Sequence, residues 1–170
     1  MIDTHCHLTN PQLLHRVDDV IEGATKAGVR ALITVATDGD DALVARQIAE
    51  MNKEVYFSSG IHPLHADGDW KWNYISEAAK DAKCVAWGEL GLDRHYSEPA
   101  LALQKNLLEE HIALIENVKG DSRPIIVHCR KAVDDLLPRF RSSDLEGNRF
   151  VFHCFTEGKE EARKIIDSGA

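Results

Sequence analysis

Short apolar runs alternate with longer amphipathic segments along the 170-residue chain, and this alternation restricts its fold more than any other feature. The apolar runs predict strands at residues 2–7, 31–37, 55–61, 84–90, 124–129 and 149–154. The segments between them predict helices at residues 11–27, 40–52, 70–82, 100–118, 131–141 and 158–168. Strands that alternate with helices imply right-handed crossovers and a parallel sheet. Since no linker or repeat interrupts the pattern, we expect one domain over residues 1–170.

Two parallel architectures are compatible with this order of elements. A doubly wound sheet usually carries a glycine-rich phosphate loop, and neither a G-x-G-x-x-G nor a P-loop pattern occurs in the sequence. A (β/α)8 barrel instead takes its active-site residues from the carboxyl ends of many strands. The polar residues of this chain follow the second pattern. The sequence therefore predicts an α/β fold of the TIM-barrel type, with about six of the eight strand–helix units present.

Five of the six predicted strands carry or run into residues that can bind a metal ion. These residues are His5 and His7, His62, Glu89, His128 and His153. Such groups are costly to bury side by side unless they are paired or bound to metal. Imidazoles with a carboxylate suit Zn²⁺ or Mn²⁺ better than Ca²⁺. The sequence therefore predicts a metal site, and two ions bridged by a carboxylate could activate water for attack at phosphorus.

Each of these residues also has a simpler interpretation. His5 and His7 could be core side chains with satisfied hydrogen bonds, and His128 could be a structural hydrogen-bond donor. His62 precedes a proline and could shape its loop instead of touching substrate. Glu89 could form a buried ion pair with Arg130, or Arg130 could hold a phosphate in a forked contact. Asp93 is expected to cap a helix or to fix a turn. Four further histidines fall in predicted loops or helices and are interpreted as surface residues: His15, His65, His95 and His111.

The cysteines and the charge exclude several other classes of protein. Cys6, Cys129 and Cys154 each adjoin a histidine in an apolar stretch, so we expect them to pack on the opposite face of a strand. The formal net charge of −8 argues against broad electrostatic binding to nucleic acid. An anionic substrate is still compatible, because a bound metal can reverse the local field. The chain has neither a signal-like start nor a run long enough to span a membrane, which favours a cytoplasmic location.

The motifs IDTHCHL, GIHP, GELGLD, PIIVHCR and FHCF resemble, in order and register, those of the TatD-type deoxyribonucleases. This family is a branch of the amidohydrolase superfamily of metal-dependent (β/α)8 barrels. The resemblance implies that His5 and His7 bind one metal ion and that Glu89 bridges to a second. His128 and His153 would hold the second ion. It thus implies two divalent ions, Mg²⁺ or Mn²⁺, with Glu89 as a catalytic residue, and the donor types add Zn²⁺ to these candidates.

The resemblance also implies a substrate. His62 and Arg130 would contact phosphate, and the enzyme would remove nucleotides from DNA as an exonuclease. Two rival functions stay open. One is a related enzyme of the superfamily that acts on a small-molecule amide, ester or phosphoester, and the other is a metal-binding fragment without activity.

The end of the chain departs from the family pattern. Family members carry a late aspartate, in a Thr/Ser-Asp-x-Pro-like setting, that binds metal, whereas this sequence stops at Ala170. A barrel of this type usually needs roughly 250 residues. We therefore expect either a fragment or a barrel that is completed by a missing C-terminal segment or by another chain.

Overall fold

The computed structural model of the chain describes residues 1–153 and 155–170, and its six strands form one parallel sheet. The strands are β1 (Ile2–Cys6), β2 (Ala31–Thr34), β3 (Val55–Ser59), β4 (Cys84–Asp93), β5 (Ile125–Arg130) and β6 (Phe150–Phe152). Their spatial order is β1-β2-β3-β4-β5-β6, without the reversal that defines a doubly wound sheet. The barrel-type fold class predicted from the sequence is therefore confirmed.

In the described residues, six helices connect the strands and a seventh follows β6. They are α1 (Pro11–Leu14), α2 (Val17–Lys26), α3 (Gly39–Met51), α4 (Trp72–Ala78), α5 (Leu101–Glu116), α6 (Val133–Arg141) and α7 (Lys159–Asp167). The first predicted helix is in fact two, because the backbone of Arg16 leaves the helical region at φ −137°. Among the described helices, none combines the length and the apolar content that a membrane span requires.

The two faces of the sheet bury different residues. Ile125 and Val127 pack in the main core with the helices, whereas Ile126 packs with Val35 and Ala86 in a small second cluster. This division follows from the two-residue period of a strand, which sends neighbouring side chains to opposite faces. Val151 pairs with Ile126 in register and stays 48% exposed. The face opposite the helices is thus covered only thinly toward β6.

The long strand β4 approaches β5 so closely that glycine is required at two positions. Gly88 and Gly91 have φ values of +109° and +144°. A Cβ atom on Gly91 would lie 2.0 Å from the carbonyl oxygen of His128, and one on Gly88 would lie 2.5 Å from that of Ile126. The register between the strands shifts between Trp87 and Leu90. These contacts fix where Glu89 and His128 stand relative to one another.

Candidate metal centre

Four imidazoles surround the carboxylate of Glu89, whose side chain is only 2% exposed. The Oε1 atom of Glu89 lies 2.7 Å from His128 Nδ1 and 3.6 Å from His62 Nε2, and it also contacts His153 Nε2. The Oε2 atom lies 3.4 Å from His5 Nε2. The loops and strand ends of β1, β3, β4, β5 and β6 supply these five side chains. The carboxyl ends of the parallel strands therefore meet as the sequence predicts.

Two groups of potential metal ligands share Glu89. His5, Glu89 and His153 form one group, and His62, Glu89 and His128 form the other. Within each group the donor atoms all lie within 4.8 Å of one another. His153 is thus grouped with His5, on which its ring stacks at 3.9 Å, rather than with His128 as the family resemblance implies. A carboxylate common to both groups can bridge two ions.

The hydrogen bonds on the far side of each ring indicate which nitrogen can bind metal. His128 Nε2 lies 2.9 Å from the Asp93 carboxylate, so Nε2 carries a proton and Nδ1 faces Glu89 as a potential ligand. His7 Nδ1 lies 2.8 Å from the carbonyl oxygen of Val35, which leaves Nε2 with the lone pair. His7 lines the same cleft but lies outside both ligand groups, so its role as a ligand stays a prediction.

His62 differs from the other rings, although its Nε2 lies in the second group. Its Nδ1 accepts a hydrogen bond from the backbone N–H of Leu64 at 3.1 Å, so a neutral ring carries its proton on Nε2. Burial lowers the pKa of His62 to about 4, which keeps the ring neutral near pH 7. His62 is therefore better suited to donate a hydrogen bond to an anion than to bind a metal ion.

The residues of the centre fit divalent metal ions. His5 Nε2 is a buried nitrogen without a hydrogen-bond partner among the described residues, although it faces Glu89. His62 Nε2 and His128 Nδ1 lie 2.9 Å apart and both face Glu89 Oε1. Crowded nitrogens around one carboxylate, with nitrogen and oxygen donors only, match the preferences of Zn²⁺ and Mn²⁺.

Glu89 is held in its charged form. Burial alone would raise the pKa of this carboxyl group, but hydrogen bonds from His128 and His153, together with the nearby ring of His5, outweigh burial and hold the pKa well below its usual range. The same contacts raise the pKa of His128, since its attraction to Glu89 and Asp93 outweighs the cost of burying the imidazolium. An ionised carboxylate at the centre is the form that binds metal.

Asp93 belongs to the centre as well, although its predicted role is only to fix a turn. That role is confirmed, because its Oδ1 accepts hydrogen bonds from the backbone of His95 and Tyr96 at 2.8 and 3.3 Å. Its Oδ2 in addition orients His128. Residues 89, 91 and 93 share a face of β4, so the sequence contains this signal, but the register with β5 is needed to recognise it.

Gln104 of α5 fixes Asp93 in turn, and sequence reasoning missed it. Its Oε1 accepts the backbone N–H of Asp93 at 2.7 Å, and its Nε2 donates to the carbonyl oxygens of Asp93 and Pro99 at 3.0 and 2.8 Å. Both Gln104 and Asp93 are only 1% exposed. A buried chain of hydrogen bonds thus runs from Gln104 through Asp93 to His128.

Two of the simpler interpretations are wrong. Glu89 contacts imidazoles rather than Arg130, whose guanidinium lies over the ring of Tyr96 at 5.4 Å. His111 is fully buried, not a surface residue. It lies on the apolar face of α5, where Nδ1 donates to the carbonyl oxygen of Leu107 and Nε2 accepts the backbone N–H of Ile61, each at 3.0 Å. His15, His65 and His95 are exposed as predicted.

The cysteines are packing residues where the structure describes them. Cys129 is buried, and Cys6 packs against the main core. Burial raises the pKa of each thiol to about 12, so neither is a reactive thiolate. Cys154 lies outside the described residues.

An open cleft of about 450 Å³ leads to the centre. The loops that follow β1, β2 and β3 form its walls with Thr9, Asn10, Thr37, Asp41 and Leu64. Asp41 is engaged internally, since its Oδ2 accepts hydrogen bonds from the backbone N–H and the hydroxyl of Thr37 at 2.8 and 3.1 Å. The cleft can therefore present hydroxyl and amide groups to a ligand at the centre.

Fold and site together define a class: an α/β barrel-type protein with a candidate histidine–carboxylate metal centre at the carboxyl ends of its strands. The family model described as TatD related DNase matches residues 2–170, and the chain belongs to this family.

Individual relatives agree with this assignment. The "Uncharacterized metal-dependent hydrolase YcfH" of Escherichia coli (strain K12) is 33% identical over 172 residues, which cover 99% of this chain and 64% of that protein. The "Uncharacterized metal-dependent hydrolase YabD" of Bacillus subtilis (strain 168) is 32% identical, with 98% of this chain and 65% of that protein covered. The chain therefore spans just under two thirds of the length of these curated relatives.

The fold is also similar to a solved structure. The crystal structure of YjjV, a TatD homologue from Escherichia coli K12, superposes with a TM-score of 0.88 at 29% identity. The match covers 99% of this chain and 65% of that structure.

Proposed function

We propose that this chain is the metal-binding part of a hydrolase that uses two divalent ions, Mg²⁺, Mn²⁺ or Zn²⁺, to cleave phosphodiester bonds in DNA. The observation that carries the proposal is Glu89, which lies between two groups of potential ligands and can bridge them. Membership in the TatD-related DNase family and the names of the metal-dependent relatives support it. A cytoplasmic location remains a prediction.

The residues of the centre divide into ligands and a donor. His5, Glu89 and His153 would hold one ion, and Glu89 with His128 Nδ1 would hold the other. His7 Nε2 is available as a further ligand from the cleft side. Divalent ions bound there would lower the pKa of a water molecule and offset charge on a phosphoryl oxygen.

The chain itself supplies substrate contacts beside the ions. His62, neutral and protonated on Nε2, can donate a hydrogen bond to a phosphate oxygen at the wall of the cleft. Arg130 lines a cavity that adjoins His128 and His153, where its guanidinium can make a forked contact with phosphate. The cleft has the size of a small-ligand site, which favours the end of a single strand over a duplex. This supports an exonuclease.

The proposal is tested with the full chain and end-labelled single-stranded DNA. Shortening of the strand is followed over time with Mg²⁺, Mn²⁺, Zn²⁺ or EDTA, for the wild type and for Glu89→Gln. The matched control is Glu110→Gln, because this substitution removes the same charge from an exposed position on α5. We expect metal-dependent shortening in the wild type and the control, and loss of at least 100-fold in Glu89→Gln.

Other results would point to the rival functions. Metal-dependent, Glu89-dependent hydrolysis of a p-nitrophenyl ester or phosphodiester without cleavage of DNA would favour a small-molecule hydrolase. Binding of Mn²⁺ by calorimetry without turnover of any of these substrates would favour a metal-binding fragment.

A further inference from the structure

A second cavity of about 490 Å³ adjoins the candidate metal centre. The imidazoles of His128 and His153 line both the cleft and this cavity. Arg130 and Lys131 also line the second cavity. We propose that it binds the phosphate group adjacent to the scissile one in a single-stranded substrate, with Lys131 as an additional phosphate-binding residue. This inference rests on the proposed phosphodiesterase function.

The charges of the two cavities differ. Among the described residues that line the cleft there is no lysine or arginine, whereas the second cavity has two in succession. The chain as a whole carries a formal net charge of −8. A strand that reaches the centre therefore meets positive side chains on one side only. The cleft therefore suits an uncharged nucleoside. The second cavity suits the phosphates of the strand that continues from that nucleoside.

Arg130 is held in place while its donors stay available. Its guanidinium lies over the ring of Tyr96 at 5.4 Å, and its carbonyl oxygen accepts the backbone N–H of Arg94 at 2.9 Å. Within residues 1–153 and 155–170, neither Arg130 nor Lys131 forms an ion pair. The carboxylate of nearby Asp135 is already paired with Arg94 and Lys105, at 2.7 and 2.6 Å. Both cations can therefore serve an anionic ligand.

The backbone of Lys131 is unusual for a lysine. Its φ of +57° lies in the left-handed region, which favours glycine. Strained backbone of this kind occurs preferentially at ligand-binding positions. Lys131 directly follows β5, so this conformation turns the chain beside the second cavity immediately after His128 and Arg130. A lysine at this position gives the cavity a second positive charge that a glycine would not supply.

Binding and cleavage of single-stranded five-nucleotide DNA test the inference. One phosphodiester at a time, from the labelled end inward, is replaced by an uncharged methylphosphonate. Fluorescence anisotropy gives Kd with EDTA present, and shortening with Mn²⁺ gives turnover on the same oligonucleotides. The variants are Lys131→Gln, Lys131→Arg and the control Lys53→Gln, whose lysine is 90% exposed at the amino-terminal end of β3.

We expect Lys131→Gln to raise Kd about fivefold for the all-phosphate strand. The slope of log Kd against log salt should fall by about 0.7, since one phosphate contact is lost. At one position, replacing the phosphate with a methylphosphonate should also raise the Kd of the wild type about fivefold. The same replacement should leave the Kd of Lys131→Gln unchanged. Lys131→Arg should restore both the affinity and the salt slope, and Lys53→Gln should change neither.

Two different failures can be told apart. If Lys131→Gln and the wild type respond equally to every methylphosphonate, the second cavity does not bind the adjacent phosphate, whether or not the DNA is cleaved. If the Lys131-dependent loss is found but no strand is shortened with any metal, the phosphate site stands and the proposed hydrolysis is wrong.

Discussion

The buried histidine of α5 makes the stability of the fold sensitive to mild acid. His111 is fully buried, and both of its ring nitrogens are hydrogen-bonded, with Nε2 as the acceptor of the Ile61 N–H. Burial lowers the pKa of His111 from 6.5 to about 4. Protonation would place a charge in the core and remove the acceptor for Ile61, the residue before His62. The neutral ring therefore stabilises the strand end that presents His62.

The sign and size of the effect follow from the two pKa values. Since the folded pKa lies below the unfolded one, the stabilisation is fully present above pH 6.5 and is lost as the pH falls toward 4. The pKa difference of about 2.5 between the unfolded and folded states corresponds to about 3 kcal/mol of stabilisation in total. About 2 kcal/mol of this stabilisation is already lost at pH 5.

Urea unfolding from pH 7.5 to pH 5, in EDTA, measures this contribution. The comparison is with His111→Gln, whose amide oxygen can accept the Ile61 N–H but does not titrate. We expect the wild type to lose about 2 kcal/mol more than His111→Gln over this range. Parallel losses of unfolding free energy in the two proteins would refute the reasoning, because His111 would then titrate alike in the folded and unfolded states.

Three further predictions concern the centre and the sheet. Asp93→Asn should weaken Mn²⁺ binding about 10- to 100-fold by calorimetry with an unchanged circular dichroism spectrum. The backbone N–H groups of His95 and Tyr96 would keep the amide oxygen, so the NH2 group would face His128 Nε2 and favour the other tautomer. Unchanged affinity would argue against the positioning role of Asp93. Gly91→Ala should lower the free energy of unfolding in urea by at least about 3 kcal/mol. Gly120 also has a positive φ but open space around it, so Gly120→Ala should lower it by only about 1 kcal/mol. Equal losses would contradict the close approach of β4 to β5. Lys83→Met should lower the free energy of unfolding by about 1.5–3 kcal/mol, because Nζ donates to three backbone carbonyl oxygens. A thermal unfolding midpoint equal to that of the wild type would contradict this prediction.

Much of the fold could be predicted because its signals are local. Apolar strands and amphipathic helices depend on the period of the side chains in a short stretch, so all six strands were located, although β2 ends at Thr34 and β4 continues to Asp93. The split between α1 and α2 was missed because the apolar pattern continues across residues 15–16 while the backbone breaks there.

The members of the centre were also predictable, for a different reason. In a parallel sheet the carboxyl ends of all strands lie at one edge, so His5, Glu89, His128 and His153 had to approach one another once each was placed at a strand end. Their partners were not predictable. The pairing of His153 with His5 depends on the curvature of the sheet, which no single stretch of sequence encodes.

The sequence by itself determined the class of fold and the residue types at the centre, because both depend on short-range periodicity and on the direction of the strands. Only the tertiary structure decided what each ring can do. The proton positions on His128 and His62 depend on Asp93 and on the Leu64 N–H, and the burial of His111 depends on the packing of α5 against the end of β3. A hydrogen bond fixes a tautomer only when both partners are in place, and that requires the folded chain.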